Sequence, residues 1–138
     1  MKVDFQNEKL INRILEDSRT IAVVGLSAKP DRPSYDVAAF LQSNGYKIIP
    51  VNPNLSSVLG EKSYPDLSSI PEPVDVVDIF RKSEDVGPIV DEVIKVGART
   101  VWMQLGIVNE EAAKKAQDAG LNVIMDRCMK REYGKIHG

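Results

Sequence analysis

Short runs of aliphatic and β-branched residues alternate along this chain with stretches in which apolar positions recur every three or four residues. That alternation predicts a parallel sheet whose strands are separated by helices. Residues 20–25, Thr-Ile-Ala-Val-Val-Gly, are almost continuously apolar, as a strand covered on both faces must be. Further strands are expected over residues 46–51, 74–80, 100–104 and 121–125, with a weak extended segment at 61–64. Pro50 and Pro53 place the second strand at an edge or close it, because proline cannot donate to a ladder. The spacing of Phe5, Leu10, Ile11, Ile14 and Leu15 predicts an N-terminal helix within residues 1–18, packed on the sheet. Ser34 is expected to cap a helix through Phe40 and Leu41 that Gly45 ends in a left-handed conformation. Ser83 is expected to cap the next, with Glu84 and Asp85 in its first turn, Pro88 near its start and Gly97 at its end. Asn109 caps a third before Gly120, and residues 127–133 form one or two turns ahead of a frayed tail at 134–138.

The 138 residues suffice for one core and not for two, so the expectation is a single domain over 1–138. The fold class expected is α/β: one Rossmann-like three-layer domain, its mostly parallel sheet of about five strands flanked by helices. With 43% hydrophobic and 28% charged residues, disorder and fibrous repeats are excluded. A net charge of -2 offers no global field for a polyanion, so nucleic acid is not an expected partner and any anion site must be local. A single Cys and a single His exclude an internal disulfide framework and thiolate-rich or His-rich metal sites, and leave little material for a catalytic triad. The N-terminal MKVDFQNEKL has no apolar signal core and no apolar run approaches the ~18 residues of a membrane span; the expected setting is cytoplasmic.

Ligands of open parallel sheets bind outside the carboxyl ends of the strands, where strand order reverses. The segments that follow the strands are 25–34, 52–54, 80–83, 104–109 and 126–130. The first brings Gly25, Ser27, Lys29, Arg32 and Ser34 to a helix start, where free N–H groups, cations and hydroxyls suit a phosphate. The plain alternative is a surface loop of solvated charges. The turn reads Gly25-Leu26-Ser27-Ala28-Lys29-Pro30 and the second strand ends in Val51-Asn52-Pro53-Asn54. Both the glycine fingerprint and the ribose-binding carboxylate of dinucleotide sites are therefore missing. A small NAD(P)-binding oxidoreductase is the enzyme-class alternative. Gln104, ending a strand, is a candidate polar contact on the same rim. Trp102 and Met103 belong to the core, and Asp75 and Asp78 point to opposite faces of one strand, leaving Asp78 to orient a neighbouring loop.

The run IAVVGLSAKPDRPSYDVAAFLQSNGYKIIPVNPN, followed by VDVVDIFRKSEDV, VWMQLGI and MDRCMKREY, resembles the small stand-alone CoA-binding proteins, relatives of the CoA-binding domain of the succinyl-CoA synthetase α subunit. The resemblance covers Thr20 to Tyr133 and rests on several motifs in one order. It implies non-covalent binding of coenzyme A or an acyl-CoA by a non-catalytic carrier, sensor or regulatory module. Gly25, Ser27, Lys29, Arg32 and Ser34 then stand where the family cradles the CoA pyrophosphate. Asn52 and Pro53 fall beside the adenosine half, and Phe80, Arg81 and Lys82 follow the strand whose end faces the ligand. Lys47 becomes a candidate partner for the 3′-phosphate. The synthetase works through a phosphorylated histidine in a second domain; here the one histidine is His137, so ligase activity and catalytic residues are not expected. Cys128, in DRCMK, is either a small buried hydrophobe or a thiol that forms a mixed disulfide with CoA. Beyond the ligand, an unknown protein or a second copy of the chain, docked through a sheet edge or outer helices, is the partner to be considered.

Overall fold

A computed structural model describes residues 4–137. Its five-stranded sheet has β1 (Thr20–Val24), β2 (Lys47–Val51), β5 (Val76–Ile79), β6 (Thr100–Met103) and β7 (Asn122–Met125) in the order β2-β1-β5-β6-β7, all parallel. Between β2 and β5 a two-stranded hairpin, β3 (Ser57–Val58) with β4 (Glu61–Lys62), occupies part of the irregular stretch. Helices α1 (Glu8–Asp17), α2 (Pro33–Ser43) and α5 (Met129–His137) cover one face, and α3 (Val86–Val96) and α4 (Glu110–Asp118) the other. This is the three-layer Rossmann-like arrangement, and its faces follow from the period of two along each strand. Ile21, Val23, Val76, Trp102 and Ile124 face α1, α2 and α5. Ala22, Val24, Val77, Ile79, Val101, Met103 and Val123 face α3 and α4.

Several local expectations yield to tertiary demands. Phe5 lies outside α1, which Asn7 caps by accepting from Leu10 N–H; its ring packs on the opposite face of the sheet. Ser34 does not cap α2. Pro33 takes the first helical position, where its missing N–H costs nothing, and Ser34 becomes a buried helical residue. Ser83 does not cap α3 either: Ser83–Asp85, with Glu84, form a separate 3-10 turn, and the Ser83 hydroxyl accepts from Val108 N–H at 3.0 Å. The C-terminal helix runs on to His137, where fraying was expected. The Tyr133 ring meets Phe40 and Tyr46 edge-on at 5.7 and 5.9 Å and stacks with His137 at 4.1 Å, so tertiary contacts hold the last turn. Gly138 lies outside the described residues.

The sheet edges are blunted at their carboxyl ends. Tyr64 exchanges hydrogen bonds with Pro50 and Asn52 beside β2, and Phe5 C=O accepts from Met125 N–H beside β7. At those positions the edge strands are already paired within the chain and offer no free ladder groups to a second copy.

One buried residue contradicts the apolar pattern. Asp78 sits in the central strand between Val23 and Trp102, fully buried, and neither carboxyl oxygen has a hydrogen-bond partner among the described residues. It orients no loop. That work falls to Asp75, which accepts from Arg19 and Thr20 N–H at 2.8 and 3.0 Å. Burial holds the Asp78 carboxyl well above the ordinary carboxylate range. The folded chain therefore keeps a proton that the unfolded chain releases from about pH 4 upward, and stability is lost as the pH rises through that window. Asp78→Val, of similar shape, should raise the unfolding free energy at neutral pH by about 1–3 kcal/mol and flatten its decline above about pH 4. Urea unfolding of both chains at acid and neutral pH checks this; a parallel pH dependence in the two would refute the burial account.

Candidate functional site

The chain leaves β1 towards β2 on one side and returns through β5 on the other, so the strand order reverses between β1 and β5. In open sheets of this kind the crevice above that point receives ligands. Gly25 ends β1 there with φ +87°, its N–H donating to Val51 C=O at 3.0 Å. A Cβ at this position would lie 2.5 Å from the carbonyl oxygen of Phe80. Glycine is thus required twice, by its backbone conformation and by the closeness of the β5 end.

The loop that follows is tied by its own hydroxyls. Ser34 Oγ accepts from Ser27 N–H and Ser27 Oγ accepts from Lys29 N–H, each at 3.0 Å. Turning inward, Ser34 leaves the start of α2 with no side-chain cap, so its first-turn N–H groups remain for solvent or a ligand. The opposing loops are locked to one another. Trp102 Nε1 donates to Arg127 C=O at 2.8 Å, Gly106 N–H to Asp126 Oδ1 at 2.7 Å, and Asn109 Nδ2 to Ser83 C=O at 2.9 Å. Asp126 adopts φ +59° to make this turn.

Together these loops enclose a cavity of about 1180 Å³, large for a small-molecule site. Gly25, Ser27, Lys29, Arg32, Ser34, Phe80, Arg81, Lys82 and Gln104, all expected from the sequence, line it. Asn52 and Pro53 do not. Asn52 instead donates from Nδ2 to Leu26 C=O at 3.0 Å and accepts from Asn54 N–H at 2.9 Å, bracing the first turn from outside. Lys47 begins β2, at the far end of the sheet from the crevice, and pairs with Glu72 at 2.7 Å; it is no partner for a phosphate in this cavity.

The segment 126–130, expected on the rim, does bring Lys130 to the cavity, but sequence reasoning missed the wall made by one face of α2 and the continuation of α5. Asp36, Val37 and Phe40 come from the former, and Arg131 and Gly134 from the latter. The spacing 33, 36, 37, 40 was a signal for the α2 face; no local signal turns the body of α5 towards the cavity. Cys128 also lines the cavity and is half-buried. Six cations border the space, Lys29, Arg32, Arg81, Lys82, Lys130 and Arg131, against one lining carboxylate, Asp36. Lys130 is engaged by Asp36 at 3.0 Å and stands 5.3 Å from the Phe40 ring centre. The other five make no ion pair among the described residues. An anion with an apolar or aromatic portion matches this lining.

A family model described as CoA binding domain matches residues 19–134. The chain belongs to this CoA-binding family. It is 45% identical over 120 residues to the uncharacterized protein YneT of Bacillus subtilis, covering 87% of this chain and 89% of that one. A solved hypothetical protein from Pyrococcus horikoshii OT3 is 39% identical with a TM-score of 0.93, each chain covered in full at 100%. The acetate–CoA ligase [ADP-forming] II of Archaeoglobus fulgidus is 31% identical over 101 residues, which are 72% of this chain and 15% of the ligase. Among the described residues, no group of three or more His, Cys, Asp or Glu is placed to hold a metal, and no helix is long and apolar enough to cross a membrane.

The close approach of Gly25 to Phe80 makes a specific demand on the turn at the end of β1. Gly25→Ala should lower the unfolding free energy by at least about 2 kcal/mol, since the methyl group must displace backbone. Equilibrium urea unfolding measures it, and a loss no larger than that of Gly60→Ala, a left-handed glycine with nothing within 4 Å of its would-be Cβ, would show that the contact is unimportant.

Proposed function

We propose that this protein binds coenzyme A or an acyl-CoA non-covalently at the crevice above β1 and β5, as a carrier, sensor or regulatory module without catalysis of its own. The observation that carries this reading is the ring of five cations around one cavity, none of them in an ion pair among the described residues, in a chain of net charge -2. CoA brings a pyrophosphate and a 3′-phosphate, and such a ligand needs several positive groups on one rim. The membership of residues 19–134 in the CoA-binding family supports it independently.

In this reading the pyrophosphate lies on the turn from Gly25 to Ser34, where the α2 start supplies N–H groups and Lys29 and Arg32 supply charge. Arg81 and Lys82 approach from the β5 end, and Phe80 with Val37 and Phe40 offers apolar surface to the rest of the molecule. Gln104 supplies a polar contact deeper in the cavity. Kinship with the acetate–CoA ligase supports CoA as the shared ligand; the ligase's reaction belongs to the whole of that longer protein.

Calorimetric titration of the reduced protein with CoA, acetyl-CoA and NAD tests the proposal. CoA and acetyl-CoA should bind and NAD should not; heat from NAD alone would replace this reading with that of a nicotinamide-dependent oxidoreductase. Affinity for CoA should fall as salt is raised from low to physiological strength, because exposed cations meet the phosphates. Arg32→Ala should weaken CoA by about 10-fold to 100-fold, the worth of one charge-assisted contact. The same substitution should leave pantetheine, which lacks the pyrophosphate, unaffected. Equal losses for both ligands would remove Arg32 from the phosphate site.

A further inference from the structure

Cys128 and Gln104 are neighbours in the cavity wall. Gln104 is 4% exposed, and its Oε1 accepts from the N–H of Met129, the residue after Cys128, at 3.5 Å. Its amide Nε2 donates to no group among the described residues, although Gln104 lines the cavity. That donor is not shut away from the cavity, so an acceptor on a bound molecule can take the place of water there. Around it the lining is apolar, with Phe80, Leu105 and Ile107. An extended arm carrying secondary amides fits such a surface, its amide carbonyl meeting Gln104 and its methylenes the apolar residues.

The sulfur at the end of that arm would meet the one cysteine of the chain. Cys128 immediately precedes α5, and its carbonyl accepts the first hydrogen bond of that helix, from Glu132 N–H at 2.9 Å. The thiol thus stands at a helix start, with Lys130 and Arg131 also on the cavity wall. Thiol–disulfide exchange carries negative charge on sulfur throughout, and a helix N-terminus beside Arg131, which makes no ion pair among the described residues, is a favourable place for it.

We propose that Cys128 captures CoA covalently from CoA disulfide, with Gln104 positioning the pantetheine arm. The Cys128 thiolate attacks one sulfur of the bound disulfide. A Cys128–CoA disulfide bond forms as the original S–S bond breaks, and the second CoA leaves as a thiolate that takes up the proton Cys128 released. One disulfide replaces another and no external oxidant is consumed. The protein then holds CoA in a form that a reductant releases. This proposal rests on CoA binding at the same site, and the two are tested separately.

Reduced wild-type protein is mixed with CoA disulfide or, at equal concentration, glutathione disulfide, and intact mass is followed in time. Because the chain has one cysteine, any disulfide adduct reports on Cys128. One CoA adduct per chain, removed by dithiothreitol, should form at least about tenfold faster than the glutathione adduct, since binding raises the local concentration of the reacting sulfur. Desulfo-CoA, which fills the site but lacks the thiol, should slow the CoA reaction by competing for the cavity. Gln104→Met should bring the CoA rate towards the glutathione rate. Equal rates with the two disulfides, or no adduct in a protein whose calorimetry shows CoA binding, would overturn the capture step and leave the proposed function standing. Absence of CoA binding in the calorimeter would remove the proposed function itself.

Discussion

The end of β1 touches the end of β5 through a glycine that nothing larger can replace. Gly25 and the Phe80 carbonyl leave no room for a Cβ between them, and this contact stands at the one place where the sheet changes its direction of growth. Helices that follow β1 and β5 depart to opposite faces from there, as they do in every doubly wound sheet. The crevice is what the divergence leaves open. Were the β1 turn wider, Ser27 and Ser34 would not reach each other, and the cationic loop would lose the frame that points it at the cavity.

Stability and function are divided along the same axis. Below the crevice the sheet is almost wholly apolar and closed to water, with two cores on its two faces. Above it lie exposed cations whose mutual repulsion is tolerated because water screens them and no core depends on them. Asp78 is the exception. A carboxyl in the central strand without a partner among the described residues costs stability, and its position two residues before Phe80 puts that cost beneath the crevice. Its neighbours Val23 on β1 and Trp102 on β6 give it no hydrogen bond, so the packing around it must supply what it takes away.

The loops above the crevice are held by contacts between segments distant in the chain. Ser83 serves the loop before α4, Asp126 the loop after β6, and Gln104 the start of α5. Ser83 and Gln104 were open to simpler local uses, as a cap and as a rim contact. In the folded chain they couple three strand ends into one rigid rim, which is how a binding surface made of loops acquires the precision of the sheet beneath it.

Much of this fold was legible from the chain itself. Strand positions, the parallel class, the glycines at 45, 97 and 120 and the basic first turn follow from local rules: side-chain period, conformational freedom at positive φ, and the chemistry of a helix start. Nine of the eleven expected site residues reach the cavity for the same reason, since the carboxyl ends of parallel strands share one rim. What the tertiary structure decided was the partner of each polar group and the far wall of the site. Ser34 and Ser83 gave up capping for longer-range hydrogen bonds, Asn52 became a brace, Lys47 fell at the wrong end of its strand, and α2 and α5 turned a face to the cavity that brings Phe40 and Arg131 to it. Periodicity is a property of neighbours in sequence, whereas a hydrogen-bond partner or an opposing wall is chosen among residues that only folding brings within reach.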